Sequence, residues 1–308
     1  MSFLQYASYL AAAFFVITVA AKMIRIARMP THLRWEIYPI PREKGRSRYG
    51  GSYYEELDWW TKRPDVSRLN EAKEMALEIL LLRSLFRHNR RLWLFSFPFH
   101  IGMYGLVAFF ICLKLGALMQ IGGLVISPES SSPAAVLMFH LTRLLAGIAL
   151  PLSIIGGAGL LIERIGVREL RQASLPGDYV NLLILLAVFV SGLLSWLTAD
   201  RGLAVMRTYV QSLITFSPSP ALPSAHAVHL WLIILLLLYF PFTHMTHMFS
   251  KYFTYHRVRW DDRPSRPGQP RKDDIAKALE QNLSWAAPHI KAGRSWSENV
   301  ADEAETND

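Results

Sequence analysis

Five stretches of this chain, residues 3–24, 92–119, 134–162, 179–197 and 226–249, are apolar for long enough to cross a hydrocarbon layer as helices. Lipid offers the backbone no water to bond, so such stretches must become helices that satisfy their own N–H and C=O groups. The sequence therefore predicts an all-α integral membrane protein. Its bundle of five transmembrane helices would occupy residues 1–250, with a polar loop over 25–91 and a polar tail over 251–308. Pro241 lies inside the fifth stretch and lacks a backbone donor, which predicts a kink there.

Charge sets the expected orientation. The chain carries a net charge of +9, and its basic residues sit between and beyond the apolar stretches. Met1 and Ser2 bring no positive charge before the first stretch, whereas Lys22, Arg25 and Arg28 close it. That order is the reverse of a cleaved secretory signal and predicts a retained helix. The connection between the second and third stretches has no Lys or Arg. The next connection has Arg164, Arg168 and Arg171, and the one after it only Arg201 and Arg207. Lys and Arg collect on the cytoplasmic side, so the expected topology in the cell membrane has the N-terminus outside and the C-terminus in the cytoplasm. The basic balance thus reports topology, not a nucleic-acid partner.

The loop over 25–91 gathers Arg42, Lys44, Arg46 and Arg48 with Trp35, Tyr38, Tyr49, Tyr53, Tyr54, Trp59 and Trp60. Arg and aromatic side chains together suit a docking surface for a protein partner. Residues 70–88 read as one amphipathic helix capped by Asn70, with Glu71 and Glu74 in its first turn. Its apolar side would lie on the membrane surface or on a partner. Arg-Pro-Ser-Arg-Pro-Gly at 263–268 reads as a linker. Cys112 is the one cysteine. An iron–sulfur cluster takes about four, so any cluster served by this chain belongs to a partner.

Six of the ten histidines fall in the apolar stretches: His100, His140, His226, His229, His244 and His247. An ionisable group inside a span is costly and marks function. His226 to His244 and His229 to His247 are each eighteen residues apart. On a continuous α-helix that is five whole turns, so each pair would share a face with its members ~27 Å apart. One member would then lie near each membrane surface, which suits two b-type haems. Depth pairs His100 with His247 as axial ligands on the cytoplasmic side, and His140 with His229 on the outer side. Two alternatives stand on the outer side: His226 as the fifth-span ligand, or His140 bound to quinone instead of iron. His244 is a further alternative ligand on the inner side. The repeated H-x-x-H is also a zinc pattern, though without the Cys or carboxylate partners that would complete a tetrahedral site.

Arg143, three residues after His140, suits a haem propionate, or a structural carboxylate such as Glu163. Lys114 suits a propionate or a quinone oxygen, or else snorkels to the headgroups. Gly102, Gly105, Gly156, Gly157 and Gly159 permit close approach of a porphyrin or of a neighbouring helix.

The segments FHIG at Phe99 to Gly102 and HLWLIILLLLYFPFTHMTH at His229 to His247 resemble the respiratory nitrate reductase gamma-subunit family of di-haem cytochromes b. That resemblance implies five spans with the same topology, quinol oxidation, and two b haems feeding an iron–sulfur partner. It carries three of the four family ligands onto His100, His229 and His247, while Phe110 stands where the fourth would be. His140 is the one spanning histidine outside the second and fifth stretches, and so is its expected substitute. The loop HLRWEIYPIPREKG…YGGSYYEELDWWTK and the tail LSWAAPHI are similar to the membrane subunits of sulfate-reducer transmembrane redox complexes and heterodisulfide-reductase-type complexes. This implies a heterodisulfide-reductase-like cytoplasmic partner docked on loop 25–91 and tail 251–308.

The sequence thus reads as the electron-transfer subunit of a quinone-linked respiratory oxidoreductase. It would move electrons between a membrane quinone, such as menaquinone, and a cytoplasmic iron–sulfur subunit. Its rivals are a single-haem cytochrome b on His100 and His247, and a haem-free membrane anchor. A transporter would show an inverted repeat, and none is visible.

Overall fold

Long apolar runs do become long helices in the computed structural model, which describes residues 1–29, 45–49, 55–58, 61–62, 67–250, 268 and 270–306. In chain order the helices are α1 (Phe3–Ala27), α2 (Arg68–Leu81), α3 (Arg83–His88), α4 (Arg90–Ile121), α5 (Pro133–Gly166), α6 (Arg168–Gln172), α7 (Pro176–Ala199), α8 (Ala204–Thr215) and α9 (Ser224–Tyr239). Two more, α10 (Pro270–Leu279) and α11 (Trp296–Thr306), lie in the tail. Among the described residues, α1, α4, α5, α7 and α9 with its following turn are five helices long and apolar enough to cross a membrane. Pro133 and Pro176 open α5 and α7 at positions where a missing N–H costs nothing. Asn89 caps α4 by accepting from the Leu92 N–H at 3.0 Å.

The chain divides into two units, Met1–Ala20 with Ala76–Thr246, and Ala21–Met75 with His247–Asp308. In the first, α4 runs against α5, α5 against α7, and α7 against α9, while α8 packs on α4. The contact of α4 with α5 depends on bare glycine. A Cβ on Gly102 would stand 2.6 Å from the Ser153 nitrogen, and one on Gly156 2.7 Å from the Phe95 oxygen. Those glycines therefore serve helix packing. Leu94, Val107, Ile111, Ile155, Leu194 and Val228 point outward, as apolar side chains do on a surface wetted by lipid. The N-terminal end of α1 is held by polar contacts: Gln5 Nε2 donates to Ser212 Oγ at 3.1 Å and to the Ser217 carbonyl at 2.9 Å. Tyr9 donates to the Leu213 carbonyl at 2.7 Å.

Two expectations change. The fifth stretch is not one α-helix to residue 249. The α-helix ends at Tyr239, and two tight 3-10 turns follow, Phe240–Phe242 and His244–Thr246, separated by an extended Thr243. Pro241 has no N–H to give, and the 3-10 turns advance about three residues per turn instead of 3.6. The eighteen-residue phase that put both members of each histidine pair on one face therefore does not hold. The single amphipathic helix expected over 70–88 is also broken. Leu82 adopts φ 49° and ψ 47°, splitting it into α2 and α3. The Ser67 hydroxyl, not Asn70, takes the capping role, accepting from the Asn70 N–H at 3.4 Å.

In the second unit, Glu56 pairs with Arg46 and with Lys62. The described part of the tail holds α10 and α11. Antiparallel bridges join Asn282 to Ser295 and Ala287 to Ile290, and Ala278, Leu283 and Ile290 are buried. Trp285 and Trp296 meet edge to face with ring centres 6.0 Å apart. Ser295-Trp296-Ser297-Glu298 closes a capping box: the Ser295 N–H donates to Glu298 Oε2 at 2.7 Å and the Glu298 N–H to Ser295 Oγ at 3.2 Å. Trp35, Tyr38, Arg42, Lys44, Tyr53, Tyr54, Trp59 and Trp60 of the expected docking loop, and the linker at 263–267, lie outside the described residues.

Candidate functional site: histidines anchored through Nδ1

The spanning histidines have different surroundings. His100, half-buried on α4, places Nδ1 2.7 Å from the Ser96 carbonyl oxygen. A carbonyl only accepts, so Nδ1 carries the proton and Nε2 the lone pair. Phe99 and Tyr104 flank the ring, at 5.5 and 6.4 Å between centres.

His229, half-buried on α9, reaches across to α7. Its Nδ1 lies 2.9 Å from Ser191 Oγ, and that hydroxyl donates to the Val188 carbonyl at 3.0 Å. With the hydroxyl hydrogen spent, Ser191 is left to accept from Nδ1, so Nε2 again carries the lone pair. Gly192 lies against the same ring, where a Cβ would stand 2.9 Å from Cε1 and 3.3 Å from Nε2. A histidine whose Nδ1–H is tied to an oxygen, with Nε2 left as the basic atom, is the usual state of a metal-ligating imidazole.

His226 is fully buried, and its Nε2 lies 3.7 Å from Asp200 Oδ2. Its Nδ1 has no hydrogen-bond partner. Asp200 also caps α8, accepting from the Ala204 and Met206 N–H groups at 2.9 and 3.1 Å. Arg207 on α8 is fully buried. Its guanidinium reaches the Ile126 and Gly202 carbonyls at 3.5 and 3.4 Å and lies against Gly116 of α4, while its Nε has no partner. Burial pushes the Arg207 pKa down, and the Asp200 carboxylate pulls it back up.

The remaining candidates are spread around the bundle. His140 is exposed on α5, edge-on to Phe139. Arg143 lies over the Phe139 ring at 5.3 Å, with its buried Nε unpartnered. Glu163 bonds Arg91, Nε to Oε2 at 2.8 Å, so it is not the partner of Arg143. Lys114 and Phe110 are exposed on α4. His244 Nδ1 lies 3.4 Å from Asp178 Oδ1. His247 is exposed and belongs to the second unit. Among the described residues no group of three or more His, Cys, Asp or Glu is assembled for a metal ion, so the H-x-x-H repeats build no zinc site there. The residues present do fit a haem: two imidazoles are set with Nε2 basic, a glycine leaves room beside one of them, and the buried Arg143 Nε suits a carboxylate.

A multi-span α-helical membrane protein with half-buried, Nδ1-anchored histidines on two of its spans is the class that this architecture defines. Residues 82–261, which hold four of the five spans, match the nitrate reductase gamma subunit family, and the chain belongs to that family. It is also 26% identical over 291 residues to the Hdr-like menaquinol oxidoreductase cytochrome b-like subunit of Archaeoglobus fulgidus, covering 84% of this chain and 79% of that protein.

The sequence pointed to the histidines but not to Ser191, Ser96, Asp200 or Arg207. Ser96, four residues before His100, follows from helical spacing. Arg207 reads as a loop charge unless α8 is recognised as a helix. Its apolar residues at 205, 206, 209, 210, 213 and 214 carry the helical signal.

Proposed function

We propose that this chain is the membrane electron-transfer subunit of a quinone-linked oxidoreductase, holding two b-type haems. Electrons would pass between a menaquinol-type carrier in the bilayer and a cytoplasmic iron–sulfur, heterodisulfide-reductase-like subunit. The observation that carries this reading is the anchoring of His100 and His229 through Nδ1, which leaves Nε2 as the ligand atom. Haem iron supplies reversible one-electron chemistry, and the chain supplies axial ligands, burial and counter-charges. His100 and His247 would hold the inner haem, and His229 with His140 the outer one. Arg143 would bind a propionate through its unpartnered Nε. Lys114 would meet a propionate or quinone oxygen near the outer surface. The relative from Archaeoglobus fulgidus, described as a subunit of an Hdr-like menaquinol oxidoreductase, supports both the carrier and the partner class. Loop 25–91 and tail 251–308 would dock that partner, with the N-terminus outside the cell.

A second reading keeps one haem, on His100 and His247. The exposure of His140 favours it, whereas the anchored ring of His229 favours two. A reduced-minus-oxidised absorption spectrum with haem quantitation decides. Two haems per chain, falling to one in His229→Ala and in His140→Ala, is the expected result. Absence of any b-type band would defeat the whole proposal, and unchanged haem in both variants would leave the single-haem reading.

A further inference from the structure

The side chain of Ser191 has a definite electrical relation to His229. Its hydroxyl donates to Val188 one turn back on α7, and its oxygen faces His229 Nδ1 on α9. A hydroxyl that donates to a carbonyl is a stronger acceptor, because each bond in a chain polarises the next. One turn of α7 therefore presents a polarised oxygen to the imidazole, while the bare Gly192 lets the ring come close to the helix. His100 is treated differently, since its Nδ1 meets the Ser96 main-chain carbonyl within its own helix. No substitution at position 96 removes that carbonyl. Position 191 is thus a place where a side-chain change alters what an imidazole donates to.

We propose that Ser191 is a positioning residue that fixes the tautomer and ring orientation of His229 and tunes the electron density at its Nε2. This rests on the reading of His229 as a haem ligand. Acceptance of the Nδ1–H bond makes the imidazole a better donor, which favours the ferric state of the iron that it ligates. Loss of that acceptor lowers the donation and favours the ferrous state.

The test is a redox titration of the purified full-length chain, followed by optical and electron paramagnetic resonance spectra, on three variants. Ser191→Ala is expected to move the midpoint of one haem upward, with a ferrous-to-ferric ratio at fixed potential raised about tenfold, and to change the low-spin g values of that haem alone. Ser191→Thr keeps an oxygen that bonds back to the preceding turn, and is expected to match the unmodified protein. Haem loss in Ser191→Ala with retention in Ser191→Thr supports the proposal equally. Identical behaviour of the Ala and Thr variants, changed or unchanged, overturns it. His229→Ala separates this failure from failure of the ligand assignment. If it keeps every haem, the assignment has failed. If it loses one while Ser191→Ala matches the unmodified chain, only the role of Ser191 has.

Discussion

Asp200 and His226 stand 3.7 Å apart with both side chains buried, joining the end of α7 to the start of α9. The same carboxylate caps α8 and offsets the buried charge of Arg207. Three helices thus meet on one aspartate, at the end of the bundle where α1 is also tied down through Gln5 and Tyr9.

Removal of the Arg207 guanidinium takes a buried donor away from the Ile126 and Gly202 carbonyls. Arg207→Met is expected to destabilise the protein by about 1–3 kcal/mol, the usual cost of leaving buried polar groups without a partner. Arg207→Lys, which keeps a positive charge and a donor on α8, should recover part of the loss. Thermal unfolding of the detergent-solubilised protein, followed by tryptophan fluorescence, measures both.

The seam of α4 and α5 tolerates no side chain at its crossing. A Cβ at Gly156 meets main-chain atoms of Phe95 and Phe99, and one at Gly102 meets main-chain atoms of Ser153 and Ala149. Main chain cannot swing aside as the end of a side chain can. Gly156→Val is expected to cost about 1–3 kcal/mol or more through overpacking. Gly177→Ala, where a Cβ meets nothing within 4 Å, is the matched control and should leave the unfolding temperature unchanged.

The tail responds to acid through Glu298. The Ser295 backbone N–H, and then the Ser295 side chain, hold its carboxyl below the usual glutamate range. A depressed folded-state value means that the stabilisation is fully present above the unfolded value of about 4.3. It is lost as the pH falls through the lower folded value. The protection factors of the Ser295 and Glu298 amides, which are exchange rates corrected for the intrinsic rate at each pH, should therefore fall in that acidic window relative to pH 7. Glu298→Gln keeps the geometry of the box, since Gln also reaches back to the capping residue, and should abolish this part of the pH dependence.

The five spans were legible because length and apolarity alone decide them. The box at Ser295–Glu298 is spelled in its four residues, a serine followed three residues later by a glutamate. The histidine geometry was only partly legible. Eighteen residues count as five turns only on an unbroken α-helix, and Pro241 turns the chain into 3-10 steps before His244 and His247 arrive. The sequence predicted a kink there but not the change of helical period. Ser191 and Gly192 gave no signal at all. Their importance lies in facing His229 from another helix, a relation created by packing and not by spacing along the chain.

That relation yields the last prediction. A methyl at position 192 would stand 2.9 Å from His229 Cε1 and 3.3 Å from Nε2, too close for the ring to stay where it is. The imidazole can turn about its own side-chain bonds, so the fold survives while the ring leaves its bond with Ser191. On the proposed reading of His229 as a haem ligand, Gly192→Ala is therefore expected to change the unfolding temperature little and to weaken haem retention at that site about tenfold, in the range seen when ligand-supporting contacts are lost. Gly147→Ala separates ligand displacement from crowding. There a Cβ would stand 3.3 Å from the Trp196 ring instead of a histidine. Haem per chain measured after dialysis should fall in the first variant and hold in the second. Equal loss in both would mean that general crowding, not the His229 ring, sets the haem content.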